Sequence, residues 1–393
     1  MSKTGYKIST TAVHAGTRKD DTFGSVNQPI YMTSNYRLPT DGSYFDPTGI
    51  NDFVYQRERN VNMLVLQDKL CGLADAEDCV VFGSGMAALS SVFTTFLQSG
   101  DHAIVSKVCY VSTEALFNEA LSGKYGVEVT FVDTADTEAV RAAVRPNTKL
   151  IHMEDPGNPT TEIGDVEAVA KIAHDNGALL SVDATFGGLL CFRPRAMGAD
   201  IEIHSMTKYI NGHGDSLGGC VLGKKELVSK VRELCLVKYG GVLSPFNAWL
   251  VSRGLVTLPI RMKQHCYAAQ KVAEFLDTCP AVRFIYYPGL KDHPQHELAA
   301  KLMPDGFSAM MSWDLKGDRE THFKFLSALK LVSYAVSLGD VETLITYSES
   351  SDPKLQDYPE PFREGFFRFS LGLEDPEDII DDLTQAFKAA GLL

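Results

Sequence analysis

Short apolar runs that alternate with helical stretches constrain the fold of this 393-residue chain more than any other feature. The runs lie near residues 79–82, 102–106, 128–132, 149–153, 178–182 and 200–204. Such alternation is typical of a mostly parallel sheet covered by helices. We therefore predict an α/β domain over residues 61–250. In such a domain, ligand contacts gather at the carboxyl ends of the strands.

The regions on either side lack this alternation. Residues 1–60 are rich in polar and turn-forming residues, which favours an arm that wraps a partner subunit. A long helical pattern begins at Ser244-Pro245 and runs to about Lys271. Because the chain is too long for one ordinary core, we expect a second, smaller α/β domain over residues 251–393. Its predicted elements are strands at 307–315 and 366–371 and a closing amphipathic helix at 378–389.

Lys208 ends the stretch Ser205-Met206-Thr207-Lys208, which follows the predicted strand at 200–204. A lysine at the end of an apolar strand loses its proton by desolvation and can attack an aldehyde, while the Ser205 and Thr207 hydroxyls can donate to a phosphate. Pyridoxal phosphate requires both properties. For a lone lysine the alternative is a solvated surface residue, but the motifs elsewhere in the chain favour the cofactor.

Two more strand ends carry suitable polar residues. Asp183 and Thr185 follow the run at 178–182, and an aspartate there can pair with the pyridine nitrogen of the cofactor and keep it protonated. Asn158 lies in the proline-rich loop 154–160 and can donate to the ring hydroxyl of the cofactor. The alternatives are an aspartate that caps the next turn and an asparagine in a plain turn.

A glycine turn at Gly83-Ser84-Gly85-Met86 joins a strand to an apparent helix start, where backbone N–H groups can bind a phosphate. The same residues fit a dinucleotide-binding G-x-G-x-x-A fingerprint. That interpretation requires the motif in the first βα unit and an acid at the end of the second strand. The motif instead lies well inside the chain, and the run at 103–106 ends without an acid, so phosphate binding is the stronger prediction.

With these motifs in this order, the chain resembles the pyridoxal-phosphate enzymes of cysteine and methionine metabolism. This trans-sulfuration group includes methionine γ-lyase, cystathionine γ-lyase, cystathionine γ-synthase and O-acetylhomoserine sulfhydrylase. The resemblance runs from about Thr11 to the C-terminus and is most specific at 205–215, 183–185 and 335–339. It implies the fold-type I, aspartate aminotransferase-like architecture, with a mostly parallel sheet domain and a smaller C-terminal α/β domain.

The resemblance also implies roles for individual residues. Lys208 would form the internal aldimine and then act as the base, Asp183 would bind the ring nitrogen, and Tyr110 would stack on the ring and relay a proton. Arg368 and Ser337 would bind the substrate carboxylate, although a surface arginine and a turn serine are the alternatives. The full cofactor-binding set would be Lys208, Asp183, Thr185, Ser205, Thr207, Gly85, Met86, Tyr110 and Asn158, with Tyr55 and Arg57 contributed by a neighbouring subunit. Tyr55 would also contact the substrate.

The implied reaction is γ-elimination from an L-amino acid with a heteroatom leaving group on Cγ, such as methionine or canavanine, through ketimine and vinylglycine intermediates. The alternative within enzymes is γ-replacement, as in O-acetylhomoserine sulfhydrylase or cystathionine γ-synthase. A ligand sensor or scaffold that keeps the cofactor site is the non-enzymatic alternative. The joint presence of a base, an electron sink and a carboxylate clamp favours catalysis.

Three segments depart from the family pattern and face the substrate in the implied arrangement. Glu58 and Arg59 stand near the phosphate-binding arginine, and Ser112 replaces a cysteine that methionine-specific γ-lyases often carry. The segment 346–352 is polar and acidic. We predict that Glu58, with Glu349 and Asp352 of that segment, favours a long polar or cationic substrate side chain at the pocket mouth; a solvated acidic loop is the alternative.

Composition excludes several classes of protein. A net charge of −13 argues against nucleic acid or an anionic membrane as a partner. The eight cysteines and ten histidines show no metal-binding spacing, so no metal and only reduced thiols are expected. We expect a cytoplasmic enzyme because the chain shows no signal segment and no run of about 20 apolar residues. The resemblance adds a homo-oligomer, a dimer of dimers forming a homotetramer with shared active sites.

Overall fold

The larger of two sheets carries the predicted alternation. A computed structural model describes residues 5–18, 20, 22–46 and 51–393, so parts of the predicted N-terminal arm lie outside the described residues. The strands of the larger sheet are β1 (Asp78–Phe82), β2 (His102–Ser106), β3 (Glu128–Val132), β4 (Thr148–Glu154), β5 (Leu179–Asp183), β6 (Ile201–Ser205) and β7 (Gly219–Gly223). Their spatial order is β1-β7-β6-β5-β4-β2-β3, with β7 antiparallel to both neighbours and the adjacent pairs from β6 to β3 parallel. The mostly parallel sheet is confirmed, but β7 was not predicted, since it starts and ends with glycine and follows a glycine-rich turn.

The smaller sheet belongs to the C-terminal part of the chain. Its strands are β8 (Val282–Tyr286), β9 (Met310–Leu315), β10 (Ser333–Tyr334), β11 (Leu344–Glu349) and β12 (Gly365–Ser370), in the order β10-β11-β12-β9-β8. The predicted strands at 307–315 and 366–371 correspond to β9 and β12. The other three strands were missed. In β11 the reason is that its last four residues, Thr346-Tyr347-Ser348-Glu349, are mostly polar and only partly buried, so the strand is not a continuous apolar run.

Helices cover the sheets and join them. They are α1 (Ile8–His14), α2 (Val61–Ala74), α3 (Gly85–Phe96), α4 (Val111–Ala115), α5 (Thr137–Ala143), α6 (Val166–Asp175), α7 (Gly188–Cys191), α8 (Lys225–Val231), α9 (Pro245–Thr278), α10 (His296–Leu302), α11 (Arg319–Ala328) and α12 (Pro376–Ala389). π-Helical turns at Leu116–Ser122 and Arg232–Lys238 continue α4 and α8, and short 3-10 turns lie at Pro194–Met197, Pro353–Asp357 and Phe362–Glu364. No described helix is long and apolar enough to cross a membrane.

Helix α9 connects the two sheets and supports the segment that carries Lys208. It starts as its sequence dictates, with Ser244 accepting from the Asn247 amide and Pro245 at the first helical position. Since α9 crosses residue 250, the division of the chain at 60 and 250 stays a prediction. The buried Arg261 donates to Tyr209 O and to Gly254 O, each at 2.8 Å. Gly212 has φ +67° and leaves no room for a Cβ beside this guanidinium, so glycine is required there.

Candidate active site

A cavity of about 600 Å³ opens where β4, β5 and β6 end and α3 begins. This is the position that ligands occupy in open α/β sheets. Every residue predicted for the site lines the cavity, apart from Tyr55 and Arg57. The lining residues are Ser84, Gly85, Met86, Leu89, Tyr110, Glu154, Asn158, Asp183, Thr185, Phe186, Ser205, Thr207, Lys208, Leu217, Val336, Ser337, Leu338 and Arg368.

Lys208 is half-buried in this cavity, on the turn that follows the end of β6 at Ser205. Its Nζ donates to Ser337 Oγ at 2.7 Å. Burial lowers the pKa of the Lys208 amine to about 8, and the nearby positive charge of Arg368 acts in the same direction. A larger fraction of this amine than of an ordinary lysine is therefore uncharged near neutral pH, and the uncharged form is the one that acts as a nucleophile or base.

Asp183 is held at the end of β5 by Thr185. The hydroxyl and the amide of Thr185 donate to Asp183 Oδ1 at 2.5 and 3.0 Å. Thr185 Oγ1 in turn accepts from the Ser205 amide at 2.9 Å, which links the ends of β5 and β6. Burial raises the pKa of Asp183, against these hydrogen bonds. Because both bonds use Oδ1, Oδ2 is the oxygen available to a positively charged ligand atom.

Glu154 is a site residue to which the sequence assigned no role. It is 7% exposed, pairs in register with Asp183 across β4 and β5, and its Oε2 accepts from the Tyr110 amide at 2.7 Å. Burial, with the neighbouring Asp183 charge second, raises the pKa of Glu154 well above its usual range. The signal was present, because Glu154 ends an apolar run just as Asp183 does. Only the folded structure shows its partner, the Tyr110 amide, which lies in the segment 107–114 that leaves β2 and starts α4.

The start of α3 closes another side of the cavity. Ser84 accepts from the Ala87 amide at 3.1 Å, while other amides in the first helical turn have no partner within the helix. Gly85 lies so near Ser205 that a Cβ would stand 2.8 Å from the serine Cβ. Glycine therefore lets the helix start approach the Ser205 and Thr207 hydroxyls, and the resulting donors suit a phosphate.

Arg368 reaches the cavity from β12 of the smaller sheet. Its guanidinium donates to Ser337 O at 3.1 Å and to Asn158 Oδ1 at 3.3 Å. Burial lowers the pKa of Arg368. Ser337 has φ +91°, an uncommon conformation for a residue other than glycine, and such strain is concentrated at functional sites. Neither a surface arginine nor an isolated turn serine describes these residues.

Several residues predicted for the site or its mouth lie elsewhere. Tyr55 and Arg57 are exposed on the N-terminal segment, and Arg57 pairs with Glu58 at 2.8 Å. The predicted acidic pocket mouth is not formed within this chain, because none of its three acids lines the cavity. Glu58 meets Arg57, Glu349 pairs with Arg319 at 2.6 Å, and Asp352 caps the turn at Pro353–Asp357.

These donors and acceptors fit pyridoxal phosphate. An amine of lowered pKa, a carboxylate for a protonated ring nitrogen, an aromatic ring at Tyr110 and a phosphate cradle share one cavity. The cradle is closed by Gly85, where a side chain would fill the space. On this fold the set defines a fold-type I pyridoxal-phosphate-dependent enzyme.

Comparison with known proteins gives the family. Residues 9–388 match the profile described as Cys/Met metabolism PLP-dependent enzyme, and the chain belongs to that family. It is 48% identical over 380 residues to a canavanine gamma-lyase of Pseudomonas canavaninivorans, covering 96% of this chain and 95% of the relative. It is 42% identical over 391 residues to an L-methionine gamma-lyase of Fusobacterium nucleatum subsp. polymorphum, covering 98% of both. The crystal structure of metB from Corynebacterium glutamicum matches with a TM-score of 0.90, 38% identity and 98% coverage of both chains.

Proposed function

We propose that this enzyme catalyses γ-elimination on an L-amino acid that carries a heteroatom leaving group at Cγ, with canavanine and methionine as the substrates to compare. One observation carries the proposal. Lys208 Nζ lies 2.7 Å from Ser337 Oγ, and Arg368 donates to the carbonyl of the same serine at 3.1 Å. A base and a carboxylate-binding fork thus meet at one residue, which suits an α-amino acid whose Cα must face the base.

Arg368 orients the substrate. Its planar guanidinium offers five donors, two of which bind Ser337 O and Asn158 Oδ1, so others remain for a carboxylate. Arginine stays protonated at neutral pH even when burial lowers its pKa. The low-dielectric surroundings strengthen the bidentate pair, and the fixed fork selects one orientation of the substrate.

Uncharged Lys208 takes the proton from Cα, gives that proton up, and, uncharged again, takes a second proton from Cβ. Ser337 Oγ holds the amine in place between these transfers. Tyr110 is 41% exposed at the cavity, and its hydroxyl supplies a proton to the departing heteroatom on Cγ. Leu217 and Val336 also line the cavity and are exposed at 59% and 80%.

Pyridoxal phosphate would be held by Lys208, by Asp183 at its ring nitrogen, by Tyr110 against the ring and by Asn158 at the ring hydroxyl. Its phosphate would be held by Ser205, Thr207 and the amides of Gly85 and Met86. When bound, it supplies the electron sink that stabilises negative charge next to the ring. Thr185 keeps Asp183 in position through the two bonds described above.

The test is a mass-spectrometric product analysis of the cofactor-loaded protein with L-canavanine or L-methionine and no added nucleophile. We expect release of the Cγ substituent, with the carbon product identified as a 2-oxo acid plus ammonia or as the amino acid with water added at Cγ. The canavanine γ-lyase is the more similar of the two γ-lyase relatives, so canavanine is expected to be turned over faster. Turnover only with added sulfide would instead identify γ-replacement, and silence with bound cofactor would identify a sensor.

A pH dependence follows from the lowered pKa of Lys208. With a pKa of about 8 instead of 10.5, roughly a tenth of the amine is uncharged at pH 7, against roughly one part in 3,000 for an ordinary lysine. Since the uncharged amine reacts with the aldehyde, covalent uptake of the cofactor by the apoprotein should accelerate as pH rises and level off above about 8. Stopped-flow absorbance measures this rate. A rise that continues to pH 10 would contradict the assignment, and Lys208→Ala should show no covalent phase.

Arg368→Lys is expected to raise KM for the amino acid and to lower kcat/KM by about 10²-fold, because lysine cannot bind a carboxylate in two places. Steady-state kinetics measures the loss. The matched control is Arg141→Lys, since Arg141 is exposed and pairs only with Glu138 at 3.4 Å among the described ion pairs. An unchanged KM in Arg368→Lys would show that another group binds the carboxylate.

We further propose that residues 1–60 form an arm of a cytoplasmic homotetramer in which Tyr55 and Arg57 complete a neighbouring active site. Support comes from apolar side chains on this segment that solvent would otherwise meet, including Phe23 at 91% and Tyr44 at 89% exposure. The eight free cysteines agree with a reducing compartment. Sedimentation equilibrium should give a mass of about four chains of 43.1 kDa, and a monomer would refute the proposal.

A further inference from the structure

The connection between β11 and β12 packs against the segment that carries Tyr110. Residues 352–362 of this connection contribute to a small apolar cluster separate from the main core. The cluster consists of Leu355, Tyr358, Phe362 and Phe366, with Val108, Phe284 and Tyr286 packed against it. Val108 belongs to the 107–114 segment, which leaves β2 and starts α4. The partly buried Val108 therefore packs the 107–114 segment against a cluster that the connection helps to form, although the two segments lie far apart in the sequence.

Two ion pairs flank this apolar contact. Lys354 Nζ lies 2.5 Å from Glu114 Oε2, and Lys107 Nζ lies 3.2 Å from Asp357 Oδ1. The Lys354–Glu114 pair is largely withdrawn from solvent, with side chains 19% and 25% exposed, so water screens it less than an ordinary surface pair. Tyr110 stands between Lys107 and Glu114 in the sequence, and its amide is bound to Glu154.

The other end of the connection leads to the substrate-binding side of the site. Residue 365 begins β12, and Arg368 lies on that strand. Tyr110 is the N-cap residue of α4, outside the regular helix, and its side chain makes no capping hydrogen bond, so the helix does not fix the orientation of Tyr110 by itself. Contacts from outside the helix are needed, and the 352–362 segment supplies them from the same connection that precedes Arg368.

We propose that Lys354 and Asp357 are positioning residues that hold the Tyr110 segment against the strand carrying Arg368. Tyr110 and Arg368 thereby keep a fixed separation, which sets how far the leaving group lies from the carboxylate clamp. The segment 346–352 departs from the family pattern, and the residues that follow it carry the two contacts. The inference rests on the proposed function only for the role of Tyr110.

The test exchanges the charges of the less exposed pair. Lys354→Glu and Glu114→Lys are compared with the double charge swap, and Lys354→Met removes the charge while keeping the aliphatic stem. The matched control is the same charge swap at Lys301 and Glu167, which lie 2.6 Å apart and join α10 to α6 away from Tyr110. Far-UV circular dichroism checks that each variant is folded. Three readouts are recorded: kcat and KM of the cofactor-loaded enzyme, visible circular dichroism of the bound cofactor, and hydrogen exchange of residues 107–122 without cofactor.

In each folded single variant at Lys354 or Glu114 we expect kcat to fall about tenfold, since small displacements of positioned groups reduce rates strongly. The cofactor dichroism should change and exchange in 107–122 should accelerate. The double charge swap should recover part of each readout, because Lys354→Glu still faces Asp357, whose Oδ2 lies 3.5 Å from Lys354 Nζ, and the control swap should leave all three as in the wild type. The proposal would be overturned if hydrogen exchange of residues 107–122 were unchanged in Lys354→Met. It would also be overturned if the double charge swap were no better than the single variants. If Tyr110→Phe leaves kcat unchanged, the proposed role of Tyr110 fails, while the exchange data still decide whether the segment is held.

Discussion

Lys208→Ala is expected to abolish steady-state turnover, with kcat reduced by about 10⁴-fold, because the same amine anchors the cofactor and moves the substrate protons. The structure gives the reason for so large an effect. No other described lysine lines the cavity, and Arg368, the other cation there, is too basic to act as a base. Product formation over hours, followed by mass spectrometry, measures the residual rate.

The control for this prediction is Lys171→Ala. Lys171 is an exposed lysine on α6 that pairs with Asp175 at 2.7 Å. Because an exposed pair of this kind contributes little, its loss should leave kcat within twofold of the wild type. Added methylamine or another small amine should restore part of the activity of Lys208→Ala, since the cavity is large enough to admit a free amine. Full activity in Lys208→Ala would place the base elsewhere and remove the central residue of the site.

Asp183→Asn is expected to lower kcat by about 10³-fold with little change in folding. The amide oxygen can still accept from the Thr185 hydroxyl and amide, so the local geometry is kept. What is lost is the negative charge that keeps the pyridine nitrogen protonated and the electron sink strong. Steady-state kinetics gives the loss, and visible circular dichroism of the bound cofactor reports its changed surroundings.

Asp175→Asn is the matched control for Asp183→Asn, because Asp175 is an exposed carboxylate that pairs with Lys171. A variant Asp183→Glu should fall between the wild type and Asp183→Asn, since it keeps the charge but displaces it by one methylene. If Asp183→Asn keeps wild-type turnover, the aspartate only terminates β5.

The sequence predicted the parts of the fold whose side-chain pattern is continuous. Strands β2, β4 and β5 are largely buried on both faces, so each is a short apolar run that stands out between helices. Strand β11 ends in partly exposed polar residues and resembles a loop, whereas β8 is apolar apart from Arg283 and was missed although its sequence is typical of a strand. The long helix was predicted, but it continues to Thr278, beyond Lys271, and ends just before Cys279-Pro280, a local stop signal that the prediction did not use.

The site shows the same division. Local motifs indicated Lys208, Asp183, Thr185 and the glycine turn, because each pairs a strand end with a chemically distinctive residue. Glu154 carried the same signal but had no visible partner, since its hydrogen bond reaches back 44 residues to the Tyr110 amide. The predicted acidic mouth is not formed within the chain, because Glu349 pairs with Arg319. The sequence could not show this, since it does not tell which arginine or lysine neutralises a given acid.

By itself, the sequence determined the fold class, the family and the cofactor chemistry of this protein. These depend on the periodicity of apolar residues and on short motifs whose residues are neighbours in the sequence. Only the tertiary structure decided which distant groups meet. Lys208 and Ser337 are 129 residues apart, Asn158 and Arg368 are 210 apart, and Glu114 and Lys354 are 240 apart. Hydrogen bonds and ion pairs act over a few ångströms, so their partners follow from how the two sheets pack, which no local pattern records.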